Sequence, residues 1–215
     1  RQLAHSLFPS TPYGFESGGD PKSIPDLSYE EFKEFHRKHY HPSNSRLFLY
    51  GDGDTQSYLE YLQANYLKDF ELMDVDTSIA HQRSFRKPKR KTLTYPISSH
   101  ETLEKKTYVL LGYKLDKAVN HEHCLGFSIL SHLLLGSSAS PLRKALITSE
   151  LGSEVIGGGF DDNRADTIFA VGLKGTEPEH EDKVLALIDS TLRDLVENGI
   201  EEDMIRSAVN SIDFR

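Results

Sequence analysis

The chain has 215 residues, with 33 acidic against 25 basic side chains and a formal net charge of -8, a balance that argues against non-specific attraction to nucleic acid or anionic membrane. Positively charged or unfolded peptides suit such a surface better, and the length leaves ample room for a buried core in one large domain or two small ones. A single cysteine, Cys124, closes no internal disulfide, so a reducing intracellular compartment is the default, the cytoplasm or, in a eukaryote, the mitochondrion or plastid.

In chain order, Ser28 with Glu31 makes a capping box, in which each residue satisfies an orphan amide at the other's end of the first turn. It predicts a helix from Tyr29 to His39, ended by Pro42. Arg46 to Tyr50 (RLFLY) reads as a short buried strand, followed by a turn at Gly51, Asp52 and Gly53. Asp54 or Thr55 then caps a helix whose Tyr58, Leu59, Leu62 and Tyr66 recur at helical spacing. From Lys68 to Lys91 the periodicity fails. The basic, proline-containing run Ser84 to Lys91 is read as a solvated connector in preference to a nucleic-acid patch, because no aromatic platform accompanies it and the chain is acidic overall.

Beyond the connector, Thr92 to Ser98 and Lys106 to Leu115 are predicted strands. Asn120 caps a helix through Leu135, and the apolar patch Leu133 to Leu135 that closes it falls far short of the roughly 20 residues that span a bilayer. Ser140 followed by Pro141 starts a second helix, ending before Gly152. Two strands, Ser153 to Gly159 and Asp166 to Lys174, flank the loop Phe160 to Ala165. Glu177 to Asn198 carries Val184, Leu185, Ile188, Leu192 and Leu195 on one stripe, with Gly199 as a C-terminal cap, and Glu201 to Arg215 is helical again. Strands in groups followed by helices in groups predict an α+β fold, an antiparallel sheet covered by helices on one face.

Ten histidines invite a search for a metal. His36, His39 and His41 lie at the end of a helix, and His121 and His123 with Cys124 near the start of another. Neither group has strong zinc spacing: His36 and His39, three apart, share a helix face but lack a clear third ligand, and His121 and His123, two apart, point to different sides although Cys124 joins His121 three apart, so a structural role is favoured for both. The paired acids Glu30 with Glu31, Asp161 with Asp162, and Glu201 with Glu202 read as helix first-turn or loop charges. No nucleophile elbow or phosphate-cradling loop occurs, and Cys124 has no evident activating partner. The run Val155, Ile156, Gly157, Gly158 and Gly159 admits two readings that stand level. Glycines on a strand let another backbone approach, as at an edge that accepts a peptide as an added strand, or they mark a bulge or bend.

Several longer words carry a resemblance: SGGDP (Ser17 to Pro21), IPDLSYEEF (Ile24 to Phe32), FHRKHYHPSN (Phe35 to Asn44), LLLGSSASPLRKAL (Leu133 to Leu146), LGSEVIGGGFDD (Leu151 to Asp162), FAVGLKG (Phe169 to Gly175) and IRSAVNSIDFR (Ile205 to Arg215). In this order they resemble the pitrilysin-type (M16) zinc metallopeptidases, in the presequence-protease and falcilysin branch, over nearly the whole chain. The resemblance implies a pitrilysin/LuxS-like metallohydrolase repeat. It also implies that residues 1–68 are the end of a first, zinc-bearing repeat, 69–90 a linker, and 91–215 a second, non-zinc repeat. The inverted zinc motif H-x-x-E-H of that family is absent, so the chain reads as an internal piece of a larger enzyme, itself without catalytic residues or bound zinc.

In such an enzyme, zinc held by two histidines and a downstream glutamate polarises the scissile carbonyl, and the motif glutamate activates a water. The role implied for this piece is chamber wall and substrate anchoring in the degradation of short unstructured peptides. The implied exosite comprises His132, Gly136 and Ser140 on a helix-loop segment and Val155 to Gly159 on a strand, although Ser140 also has a sufficient role as an N-cap. Expected partners are the rest of its own polypeptide and extended peptides, with neither nucleic acid nor membrane. A piece cut from its repeat is expected to expose apolar surface and self-associate. The rival reading is a non-catalytic scaffold or peptide-binding subunit of the same fold.

Overall fold

A computed structural model describes residues 2–214. In chain order the helices and strands are α1 (Gln2–Leu7), α2 (Tyr29–His39), α3 (Thr55–Leu62), β1 (Thr107–Lys117), α4 (His121–Leu135), α5 (Pro141–Thr148), β2 (Glu154–Asp161), β3 (Asp166–Thr176), α6 (Glu181–Asn198) and α7 (Glu202–Asp213). They fall into two compact units. One is Glu16–Ile79; the other joins the described residues up to Phe15 to those from Ala80 onward.

Within Glu16–Ile79 the local signals act as the sequence predicts. The Ser28 hydroxyl accepts the Glu31 amide at 3.3 Å, and the Glu31 carboxylate accepts the Ser28 amide at 2.9 Å, so α2 starts at Tyr29 with a complete capping box. Asp54 caps α3 by accepting the Gln56 amide at 3.1 Å, and the helix runs on into a π turn at Gln63–Leu67. The predicted strand Arg46 to Tyr50 does not form. A strand exists through a neighbour's backbone, none pairs with it among the described residues, and Phe48 and Tyr50 are 85% and 96% exposed. No residue of this unit is buried. Phe32 and Phe35, three residues apart on α2, are both more than half exposed.

In the other unit, β1, β3 and β2 form an antiparallel sheet in the order β1-β3-β2. Strand side chains alternate between faces. Val109, Val171 and Leu173, with Leu111, Val155 and Phe169, lie on one face and pack against Leu133 and Leu134 of α4, Leu142 and Leu146 of α5, Val184 and Ile188 of α6, and Ala208 of α7. This is the α+β layer, a sheet covered by helices. On the opposite face Ile168 packs with Leu7 and Phe8 at the end of α1, and Gly112 leaves room there for the side chains of Leu3 and Leu7. Gly199, at φ 80°, closes α6 as predicted, its amide donating to Leu195.

The second predicted strand, Thr92 to Ser98, also lacks a ladder among the described residues. Tyr95 anchors it: its hydroxyl donates to the Lys106 carbonyl and its ring meets Tyr108 edge-on at 5.6 Å. The chain just before it is held more firmly. Gln82 is buried; its amide donates to Asp166 at 2.7 Å, and its side-chain carbonyl accepts the Ser10 amide at 3.1 Å. No described helix is long and apolar enough to cross a membrane.

Candidate functional site

Among the described residues β2 pairs only with β3, so its other side is a sheet edge. Val155 faces Leu173 and Ile156 faces Gly172; the register then shifts, and pairing resumes with Gly159 opposite Ala170. Gly157 and Gly158 fall within that shift, which is a bulge. All three glycines have positive φ, at 112°, 80° and 78°, a region L side chains rarely adopt. They differ in surroundings. A Cβ on Gly157 would lie 2.5 Å from the Ala170 carbonyl oxygen, one on Gly159 would lie 2.2 Å from Ser131 Oγ, and one on Gly158 would meet nothing within 4 Å. Gly157 thus lets β2 press against β3, Gly159 lets α4 press against β2, and Gly158 is the open position.

The helix-loop residues are tied to one another. Gly136 donates its amide to the His132 carbonyl at 2.7 Å, and a side chain on Gly136 would strike that oxygen and the His132 ring. Ser140, 5% exposed, accepts the Ser137 amide at 3.1 Å and donates to the His132 carbonyl at 3.4 Å. Ser140 stands at the N-cap position of α5, yet its hydroxyl makes no capping bond to that helix. Ser140 and Pro141 thus start α5 as read, but the side chain does not cap it: the hydroxyl turns back and welds the α4–α5 turn. His132, Gly136 and Ser140 therefore build that turn together.

The join between this turn's helix and the glycine strand is a residue that spacing did not reveal. Ser131 accepts the Phe160 amide at 3.0 Å, and Phe127, one turn earlier, stacks on the Phe160 ring at 5.7 Å. Past Phe160 the hairpin loop is braced by Asp161, which accepts from Arg164 at 2.5 Å and from the Asn163 amide at 3.0 Å. Burial by itself would raise the Asp161 carboxyl; the Asn163 amide and Arg164 outweigh it and hold the group below its ordinary value.

Four of the clustered histidines have local partners. His36 stacks on Tyr40 at 4.8 Å, His39 meets Phe35 at 4.6 Å, and His41 accepts the Ser43 amide at 3.2 Å through Nδ1. His123 Nδ1 lies 2.5 Å from Asp116. Cys124 is buried, and burial, with Asp162 and Asp116 nearby, pushes its thiol up, away from a reactive thiolate. Among the described residues no three His, Cys, Asp or Glu side chains come together to hold a metal ion. The described residues thus offer no ligand set for the zinc implied by the resemblance, and no chemical step is assigned through it.

Comparison with known proteins places the chain. The sequence model of the family described as "Peptidase M16 inactive domain" matches residues 26–212; the chain belongs to the peptidase M16 family. It is 42% identical to Protein HypA of Clostridium perfringens over its whole length and 22% of that protein's. It is 41% identical to Presequence protease 1, chloroplastic/mitochondrial, of Arabidopsis thaliana, over 100% of this chain and 20% of that one. The chain thus spans about a fifth of the length of these relatives. A crystal structure of a protease from Helicobacter pylori superposes with a TM-score of 0.63 at 19% identity, covering 100% of this chain and 55% of that one, and shares the fold.

Proposed function

We propose that this chain is the substrate-anchoring, non-catalytic segment of an M16 zinc endopeptidase that degrades short unstructured peptides in a closed chamber. An extended peptide adds to the free edge of β2, with the rest of the polypeptide supplying zinc and the catalytic groups. The observation that carries this reading is β2 itself: a sheet edge with a three-glycine bulge whose middle residue, Gly158, stands in open space. Main-chain pairing at such an edge gives affinity without demanding a particular side chain, as peptides of varied sequence require. The relatives named presequence protease support peptides as the substrate class. A reducing interior, including a mitochondrion or plastid, suits a chain whose one thiol is buried.

Gly158 is the position to test, in the full-length protein. Gly158→Asn adds a side chain that tolerates positive φ, and Gly158→Val adds a β-branched one that does not. Both are expected to raise KM for long peptides more than for short ones, with Gly158→Val also lowering Tm. Equal changes for long and short peptides would sink the edge assignment. Hydrolysis that chelation abolishes supports the peptidase reading. Peptide binding with no hydrolysis would instead make the protein a peptide-binding subunit, the reading toward which the description "inactive domain" leans.

A further inference from the structure

The edge of β2 is closed at one point. The Phe160 amide, immediately after the glycines, donates to the Ser131 hydroxyl at 3.0 Å, and that hydroxyl fills the space a Gly159 side chain would take. An amide already satisfied by a hydroxyl is not available to an incoming carbonyl. Because backbone groups on one side of a strand recur at every second residue, a single occupied amide ends a ladder. The stacked pair Phe127 and Phe160 fixes α4 over the same residue. Before it, Gly157 and Gly158 are exposed and offer no side chains, and a glycine-rich edge specifies pairing register only weakly.

We infer that Ser131 is a positioning residue that ends the peptide-accepting edge of β2 at Phe160 and so sets the register in which an extended peptide pairs. The inference rests on the reading of β2 as the docking edge, and it gives Gly159 a second purpose: side-chain-free, it admits the hydroxyl that acts as the stop.

The test uses the full-length protein and a labelled, disordered peptide rich in Arg, Leu and Ser, with a set of variants in which one backbone amide at a time is replaced by an ester. An ester removes one donor from the ladder, and each paired position is expected to weaken binding about fivefold, the worth of one hydrogen bond. In the native protein the sensitive positions form one alternating set. In Ser131→Ala they spread over a second register and extend past the first set, while Ser131→Thr, which keeps the hydroxyl, retains the native pattern. An unchanged pattern in Ser131→Ala, with or without a uniform loss of affinity, overturns the inference and leaves the docking edge standing. If no ester weakens binding to any of the proteins, the docking edge itself is wrong and the inference falls with it.

Discussion

Gly157, Gly158 and Gly159 share a positive φ but not a reason for being glycine, and substitution separates the reasons. Gly159→Ala adds strain to a collision with Ser131 Oγ; it is expected to destabilise by about 2 kcal/mol, at the upper side of ordinary point substitutions, read as a lowered denaturant midpoint. Gly158→Ala meets no neighbour and carries only the conformational penalty, about 1 kcal/mol. A ranking with Gly158 as the costlier position would show that the bulge is not built as described. The sequence marked these positions as special without deciding between edge and bulge. The glycines form a bulge, and the strand that carries it is at the sheet's edge, a combination that local pattern does not predict. Ser131 escaped notice because its partner lies 29 residues away and a serine within an apolar helix has no distinctive spacing.

At the scale of elements, what is local was legible and what is long-range was not. α2, α3 and α4 begin where their caps predict, because a cap is settled within four residues; Arg46 to Tyr50 and Thr92 to Ser98 have strand-like composition, but pairing is decided elsewhere in the chain. The same distinction hid Asp166, whose carboxylate joins β3 to Gln82 at 2.7 Å, to His81 at 3.0 Å and to Lys114 of β1 at 3.3 Å. Burial would raise this carboxyl; the Gln82 amide, Lys114 and His81 outweigh it and hold it below its ordinary value. A depressed carboxyl contributes stability that is present above its unfolded value, about 4, and lost as pH falls through the folded value. Denaturant midpoints are therefore expected to fall with acid below about pH 4 in the native protein and less steeply in Asp166→Asn. Asp166→Ala, which strands Lys114, is expected to cost about 3 kcal/mol at neutral pH. Parallel pH curves for native protein and Asp166→Asn would exclude this carboxylate as the source of the slope.

For the whole molecule, the contrast between its two units sets its behaviour in solution. The unit with the sheet buries an apolar cluster on each face of that sheet, whereas Glu16–Ile79 has helices, caps and no buried residue. Exposed Phe32, Phe35, Phe48 and Tyr50 are an apolar surface without cover, and the isolated chain is expected to self-associate and to bind a hydrophobic dye. Light scattering that gives a clean monomer without dye binding would contradict this.

The path of the chain carries one more consequence. Glu16–Ile79 is an excursion from a body that holds the chain on either side of it: Leu7 and Phe8 sit against Ile168, and Ser10 is bonded to Gln82. A protease cut within the excursion would sever the polypeptide without parting the product. With the 215 residues taken alone, the piece before the cut would stay lodged on the sheet, co-eluting with the remainder until denaturant frees it, so that two peptides could be mixed and asked to rebuild one folded body.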